Sequence, residues 1–580
     1  MKVKKQYTSF DGNIINIPDT TPISSIFDIL KPRIGKEKEE VFFDPNLSHL
    51  LSPLLLPDIE VCSKRVLEAQ KNNERVVIFG DYDVDGVSST ALLVRFLKYE
   101  LGMQVSYRLP HRQKDGYGLK SYFFDELKEK NVSLVITVDC GTKDIEPIQH
   151  AKSLGIDVIV TDHHAVPEKI PKEVIGIINP KRIDVPHPYP FPYLAGAGVA
   201  FKFAYAILLF LYAKDPNTPT KEERKKIESI LMKYADFSSL GTVADCMPLI
   251  GENRIITQLG LRQMQQSQSA GLKKFIENCD DVEGNADLIG FQIGPRINAS
   301  GRMDTPMTAL QWLLASEQTC DGFFETIEVL NNSRKEEVKS YSDSALMNAD
   351  PNDGILFFVD DTISHGLIGL VAGKLTETYN RPAIVLAKHK ETNKEGKEIQ
   401  VMVASCRSPE WCSMIDLLDA SKEFFLRYGG HKQAAGLSIE SEKFPQFKKH
   451  IQNIFAQKYD TDNLPKPSLE VIGILPIELL NLESFDTIQR FRPFGIGNPH
   501  PVWFLAGVTL RDHSYIGAKK NHIRFYIQEN PNIVFLMWNA EHCKDILKNE
   551  NQYHLVVELQ KNTWKETSNL QVIVREIIIA

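Results

Sequence analysis

No stretch of this sequence is both apolar enough and long enough to cross a bilayer. The longest apolar region, at 199–212, carries Lys202 and stops short of the roughly 20 residues a spanning helix needs. The amino terminus, Met1-Lys2-Val3-Lys4-Lys5-Gln6-Tyr7, has basic residues without the apolar run of a secretion signal. A cytoplasmic location without a membrane partner is therefore expected. Cysteine is sparse: the eight residues are scattered with no Cys-x-x-Cys pair, which argues against a zinc ribbon and a disulfide framework and leaves reduced thiols. The usual nucleotide motifs are missing too. Gly373-Lys374 is followed by Leu375 and has Ile368 where a P-loop needs glycine, and Gly495-Ile496-Gly497 lacks the third glycine and the preceding strand of a dinucleotide site. No His-Glu-x-x-His occurs. Positive charge is not in excess either, since the net charge is -8, so there is no global attraction to nucleic acid. Part of that negative charge, however, is concentrated in a few clusters.

At 580 residues, with 43% hydrophobic and 24% charged content, the chain is long enough for three or four ordinary globular domains. Residues 1–70 are irregular and proline-rich and read as a helical cap without chemistry. From residue 71 to 310 short β-rich runs alternate with helical periodicity: strands at 76–79, 105–108, 134–138, 158–160 and 174–178, helices at 89–99, 122–130 and 145–154. This is a doubly wound α/β pattern. Phe323, Phe324, Ile327, Leu330, Val338 and Tyr341 keep helical spacing and predict a connecting helix over 311–350. A second α/β unit is expected at 351–458, with a glycine-rich turn beginning at Gly429-Gly430. Short alternating runs at 459–580 suggest a small β-barrel of the OB type.

Four elements of the first α/β unit run into acidic or imidazole groups: Asp81, Asp83 and Asp85 after the first strand, Asp139 after the third, Asp162-His163-His164 after the fourth, and Asp245 after a later helix. Ligands of parallel sheets sit beyond the carboxyl ends of the strands, so the four clusters should converge. Each alone has a plain structural reading, as a helix cap or an Asx turn. Together they crowd carboxylates into one place, and a cation is the simplest partner for them. Oxygen and nitrogen ligands without thiolate suit Mn2+ or Mg2+. Two such ions, about 3.5–4 Å apart, activate water and neutralise charge on a phosphoryl group, so phosphoester hydrolysis is the expected chemistry.

Gly80-Asp81-Tyr82-Asp83-Val84-Asp85-Gly86, Val138-Asp139-Cys140-Gly141, Thr161-Asp162-His163-His164 and Gly241-Thr242-Val243-Ala244-Asp245 resemble, in order and spacing, the four motifs of the DHH phosphoesterase superfamily. Arg112-Gln113-Lys114-Asp115-Gly116-Tyr117-Gly118-Leu119, Gly294-Pro295-Arg296-Ile297-Asn298 through Gly301-Arg302, Gly429-Gly430-His431 and Arg492-Pro493-Phe494-Gly495-Ile496-Gly497-Asn498-Pro499 are similar to its single-strand-specific exonucleases. The resemblance covers nearly everything from about residue 40 onward. It implies that Asp85, Asp139, His163 and Asp245 hold one Mn2+ or Mg2+, that Asp81, Asp83 and the bridging Asp139 hold a second, and that His164 contacts the scissile phosphate. Small-substrate relatives carry a histidine just before the first acidic pair, where this chain has Phe79. The 351–458 unit resembles the DHH-associated domain, which implies substrate contacts by Ser405, Arg407, Gly429, Gly430 and His431. Arg112, Arg296, Asn298 and Arg302 are further substrate-binding candidates, although any of these arginines could serve in a structural ion pair and Gly429-Gly430 could be a simple turn. In the barrel, Trp503, Phe525, Tyr526, Trp538 and Trp564 lie among Lys519, Lys520, Arg524 and Lys561, a composition suited to stacking single-stranded bases.

The implied activity is 5′→3′ hydrolysis of single-stranded DNA to mononucleotides, in recombination and repair, by a monomer that works with a single-strand-binding protein and a helicase. Two alternatives remain at this stage: a phosphodiesterase for oligoribonucleotides or cyclic dinucleotides, and a non-catalytic replication scaffold.

Overall fold

Five short strands form an all-parallel sheet in the order Val105–Arg108, Val76–Gly80, Leu134–Val138, Asp157–Thr161, Gly176–Ile178. The computed structural model describes residues 5–580 apart from 10, 11, 20, 113, 280, 283, 351, 393–397, 462, 544–546, 565 and 566, and leaves the side chains of 391, 392, 398 and 564 undescribed. Gln113 and the Trp564 side chain therefore lie outside the described residues. Val76–Gly80 and Leu134–Val138 are buried at every position, as strands covered on both faces are. From Val76–Gly80 the chain crosses outward to Val105–Arg108 and then back to Leu134–Val138. Right-handed crossovers in opposite directions put the helices Val84–Tyr99 and Ser121–Glu129 on opposite faces of the sheet. The order reverses between Val76–Gly80 and Leu134–Val138, and a crevice forms where it does. Asp81 and Asp139 are the first residues after these two strands.

The expected first helix starts five residues early, at Val84, because the Asp83 carboxylate accepts the Gly86 N–H (3.1 Å) and caps it. Behind the sheet, the helix Gly196–Tyr212 is apolar all round and almost wholly buried. Its one charge, Lys202, is fully buried and pairs with Glu252 of the helix Gly251–Met264 at 2.6 Å. Glu252 also accepts the Tyr189 hydroxyl (2.5 Å) and the Leu51 N–H (3.0 Å), so one buried pair ties four segments together.

The connecting helix runs Cys320–Asn348, 29 residues, or roughly 44 Å at 1.5 Å per residue. It is shorter than expected at its start, where Pro306 opens a separate helix, Met307–Leu314. The second α/β sheet is mixed: Phe425–Gly430, Ala434–Glu440, Glu398–Arg407 and Ala383–Thr392 run antiparallel, and Leu356–Asp360 pairs in parallel at the edge. Gly429 and Gly430 are strand residues here, not the turn. His431 N–H closes the hairpin on Ala434 C=O at 2.8 Å. At Gly430, with φ 151°, a Cβ would strike the returning strand at Ala435, so only glycine fits.

Residues 1–44, 463–494 and 498–580 form a second unit, which corrects the expected amino-terminal cap over 1–70. Lys5–Thr8 and Ile14–Ile17 are strands, and Ile14–Ile17 pairs in parallel with Ser468–Glu470. Ile15 and Ile17, two apart, point the same way into a cluster with Val471, Phe504, Val556 and Ile578, the alternation of a strand rather than a helix. The barrel closes in the order Trp503–Ile516, His522–Ile527, Val534–Met537, Thr567–Ile579, Gln552–Trp564, with only the third and fourth of these parallel. This bears out the expected small barrel of the OB type, which here closes with five strands.

Glu252→Ala would strand the Lys202 ammonium in the core. We expect a loss of about 3–5 kcal/mol in urea unfolding, since removing one partner of a buried pair leaves an uncompensated charge.

Candidate metal centre

The switch point of the parallel sheet gathers all four acidic clusters. Asp139 leaves its strand in the left-handed region (φ 60°), held by its N–H to Thr161 C=O (3.0 Å), which turns its carboxylate into the crevice. His163 Nε2 lies 3.1 Å from Asp139 Oδ1, 3.5 Å from Asp245 Oδ2 and 3.6 Å from Asp85 Oδ2. Three overlapping sets have potential ligand atoms all within 4.8 Å of one another: Asp85, His163 and Asp245; Asp81, Asp83 and Asp139; Asp139, His163 and His164. Asp139 belongs to the second and third of these sets, and His163, which shares the third with Asp139, links it to the first.

Small residues make this crowding possible. Asp85 sits in the first turn of its helix and accepts the N–H groups of Gly196 (2.6 Å) and Ala197 (2.8 Å), at the positive end of the helix Gly196–Tyr212. A Cβ at Gly196 would lie 2.7 Å from Asp139 Cβ and 2.9 Å from Asp85 Oδ2, and one at Gly241 would overlap Asp85 Oδ1. Phe79 packs in the core against Phe123 (5.3 Å) and adds nothing to the cluster.

The electrostatics are those of a site short of positive charge. Burial raises the Asp81, Asp85 and Asp139 carboxyls well above their ordinary range, and neighbouring carboxylates raise them further. Burial and then Asp83 push Asp245 up to about 7. Burial and the charge of His164 bring His163 down to about 3, so at neutral pH it is the neutral imidazole a metal needs. Among the described residues, Asp81 Oδ1, Asp139 Oδ1 and His163 Nε2 are buried without a hydrogen-bond partner. Buried lone pairs left unsatisfied beside crowded carboxylates fit divalent cations and fit little else.

His164 is arranged differently. Its Nδ1 lies 2.9 Å from Asp162 Oδ1, and the same carboxylate accepts the N–H groups of His163 (2.7 Å), His164 (3.1 Å) and Thr142 (3.0 Å). Burial opposes protonation of His164, but the Asp162 hydrogen bond and charge outweigh it and raise this imidazole. Tyr117 donates to Asp139 C=O (3.2 Å) and lies 3.1 Å from His164 Nδ1, packing edge-on against the ring. Asp162 and Tyr117 both lie in quoted motifs but were given no role in the sequence reading. Lys181, whose charge faces Asp245, Asp162 and Asp139, has no signal in the sequence.

Beside these acids lies a group of the opposite sign. Arg112 stacks on Tyr82 (4.2 Å), and Arg302, which donates to Gly366 C=O (2.9 Å), faces the guanidinium groups of Arg112, Arg334 and Arg407. Burial and these three like charges bring Arg302 down to about 10. Arg407 donates to Ser405 Oγ (3.0 Å), and Gly369 leaves room for both side chains. No carboxylate lies within ion-pair distance of Arg112, Arg302, Arg334 or Arg407 among the described residues. Arg334 was missed because it sits in the charged face of the connecting helix. Arg296, by contrast, pairs with Glu328 and donates to Gln292 C=O (2.9 Å), the structural ion pair that was its alternative. Asn298 is half-buried on the helix Gly294–Met303, and Gly429, Gly430 and His431 stand exposed on their hairpin. In the barrel, Trp503 and Phe525 are core residues, because alternation along His522–Ile527 turns Phe525 inward and Arg524 outward; Tyr526 is half-buried, and Trp538 is exposed against His522.

Comparison with known proteins agrees with this arrangement. Family models match at residues 75–242 (DHH family, N-terminal domain), 352–457 (DHHA1 domain) and 473–576 (RecJ OB domain). The single-stranded-DNA-specific exonuclease RecJ of Haemophilus influenzae is 30% identical over 553 residues, covering 92% of each chain. The chain belongs to the RecJ family. The RecJ of Bacillus subtilis is 29% identical over 551 residues, 94% of this chain and 66% of its own length. The crystal structure of Thermus thermophilus RecJ in complex with Mn2+ superposes with a TM-score of 0.79 at 25% identity, covering 98% of this chain and 79% of that one.

Gly241→Ala should displace the Asp85 carboxylate without disturbing the sheet. Calorimetric titration with Mn2+ is expected to give an affinity roughly 10–100-fold weaker than the parent's, with an unchanged circular dichroism spectrum.

Proposed function

We propose that this RecJ-family enzyme is a divalent-metal-dependent exonuclease that shortens single-stranded DNA from its 5′ end and releases mononucleotides. The observation that carries the reading is the sharing of Asp139 between two ligand sets whose buried lone pairs have no partner. Its relatives carry the name single-stranded-DNA-specific exonuclease, and structures of the Thermus relative hold Mn2+ or Mg2+.

In this proposal Asp85, Asp139, His163 and Asp245 hold one ion, and Asp81, Asp83 and Asp139 the other. When bound, two such ions supply an activated water and offset charge gathering on the phosphoryl oxygens. The chain's own groups do the rest. Asp162 takes the Nδ1–H of His164, which leaves Nε2 to pass a proton to the departing oxygen. Arg112, Arg302, Arg334 and Arg407, with Ser405, receive the terminal phosphate; planar guanidinium groups suit it, and an anion relieves their mutual repulsion. A strand end anchored beside the cleavage point yields one nucleotide per turnover and sets the polarity. The exposed Gly429-Gly430-His431 hairpin and Asn298 contact the following nucleotides. The space between the two α/β lobes admits one strand and excludes a duplex. On the barrel, Trp538 and Tyr526 offer rings to bases beside Lys519, Lys520 and Arg524.

Among the described residues no helix is long and apolar enough to cross a membrane. The reading places the enzyme in the cytoplasm, as a monomer in recombination and repair, on strands exposed by a helicase and coated by a single-strand-binding protein; support for this setting is the family membership. The barrel and the intact acidic clusters weigh against a dinucleotide phosphodiesterase and a non-catalytic scaffold.

Asp139→Ala should cut hydrolysis of a 5′-labelled single strand by roughly a hundredfold or more while the fold persists; substantial residual turnover contradicts the shared-ligand assignment. Asp162→Asn should lower kcat roughly 10–100-fold by releasing His164. With strands labelled at either end, the 5′ label is expected to leave first as a mononucleotide and a blunt duplex to stay intact.

A further inference from the structure

The strand Val105–Arg108 ends the parallel sheet, and its outer side faces a groove of about 870 Å³. Val76 N–H donates to Gln104 C=O (3.1 Å), and Val76 lies opposite Val105. In a parallel ladder this turns the backbone groups of 104, 106 and 108 toward the neighbouring strand and those of 105 and 107 outward. The groove therefore has a donor and an acceptor at each of two positions along its floor, spaced for one more strand. Its walls are the helix layers on the two faces of the sheet, and the apolar lining includes Met103 and Met307. The rim is basic on both sides: Lys98 in the last turn of Val84–Tyr99 on one, and on the other Lys130 just past Ser121–Glu129, Arg75, which donates to Lys130 C=O (2.8 Å), and Arg108. None of the described lining side chains is acidic. Arg108 is partly neutralised by Glu126 and stacks on Phe123 (3.9 Å), whereas Lys98, Arg75 and Lys130 are exposed and without a carboxylate partner among the described residues.

We propose that this edge is a docking site for an extended acidic segment of a partner protein, which adds as a sixth strand. Strand addition takes its affinity from the backbone ladder and its specificity from alternate side chains, and here both walls select acidic residues at the rim and apolar ones at the floor. A nucleic acid fits less well, because a phosphodiester backbone accepts but cannot donate, and the outward carbonyls of Val105 and Tyr107 would face its anions. A second copy of this chain fits less well too, since pairing edge to edge brings two basic rims together. The site uses none of the residues assigned to cleavage.

Fluorescence anisotropy of the full chain in Mn2+ buffer tests this with a dye-labelled peptide alternating aspartate with valine and isoleucine. The expected result is saturable binding, tighter than about 1 mM, that is absent for the same peptide with lysine in place of aspartate. Lys98→Glu combined with Lys130→Glu should weaken it at least about tenfold while hydrolysis of oligo-dT is unchanged. Tyr107→Pro, which removes an outward N–H without touching the inner ladder, should weaken it similarly, and Tyr107→Ala should not. If Tyr107→Pro fails to fold, the lysine pair carries the test. Equal binding of the lysine peptide, no binding of the acidic one, or charge variants that slow oligo-dT hydrolysis and leave peptide affinity intact would overturn the proposal.

Discussion

Carboxylates buried a few ångströms apart cannot all stay ionised unless a cation joins them. Around Asp139 the chain places Asp81, Asp83, Asp85 and Asp245 with one neutral imidazole, and among the described residues no Lys or Arg pairs with them at ion-pair distance. Much of the surrounding structure follows from accommodating this crowd. Gly196 and Gly241 give up their side chains to it, the helix Gly196–Tyr212 turns its positive end toward Asp85, and Asp139 takes a backbone conformation that L-residues rarely adopt. The cost of holding such a group is borne by an unusually continuous apolar layer behind the sheet, which the Lys202–Glu252 pair ties together.

The arginine group is the complement of the acidic one. One site lacks cations and the other lacks anions, and Arg112, packed on Tyr82 between Asp81 and Asp83, joins the two. On the function proposed above, a phosphodiester strand carries what both need, with phosphates that satisfy the guanidinium groups at one position and face the metal ligands at the next. On that reading, substrate and cofactor complete an electrostatic arrangement that the polypeptide leaves open.

The acidic centre was legible because its residues follow three strands and one helix, where hydrophobic runs end abruptly in Asp or His, and because four such endings coincide. Local readings were not wrong so much as incomplete: Asp83 is both a helix cap and a member of the cluster. Arg334 was hidden because a charged helix face looks the same whether it meets solvent or three other arginines. Arg296 shows the reverse, a motif arginine spent on Glu328. The alternation that turns Phe525 inward was available in Ile523, Phe525 and Ile527, whereas the burial of Trp503 depends on how the barrel closes. The strands of the first residues were not legible, because Ile14–Ile17 is too short to declare its period and its partner, Ser468–Glu470, lies more than four hundred residues away.

Titration with Mn2+ followed by electron paramagnetic resonance tests the shared carboxylate most directly. The account predicts two ions per chain with spins coupled through Asp139, and uncoupled ions when Asp139 is replaced by asparagine. A single bound ion, or two that show no coupling in the parent protein, would contradict it.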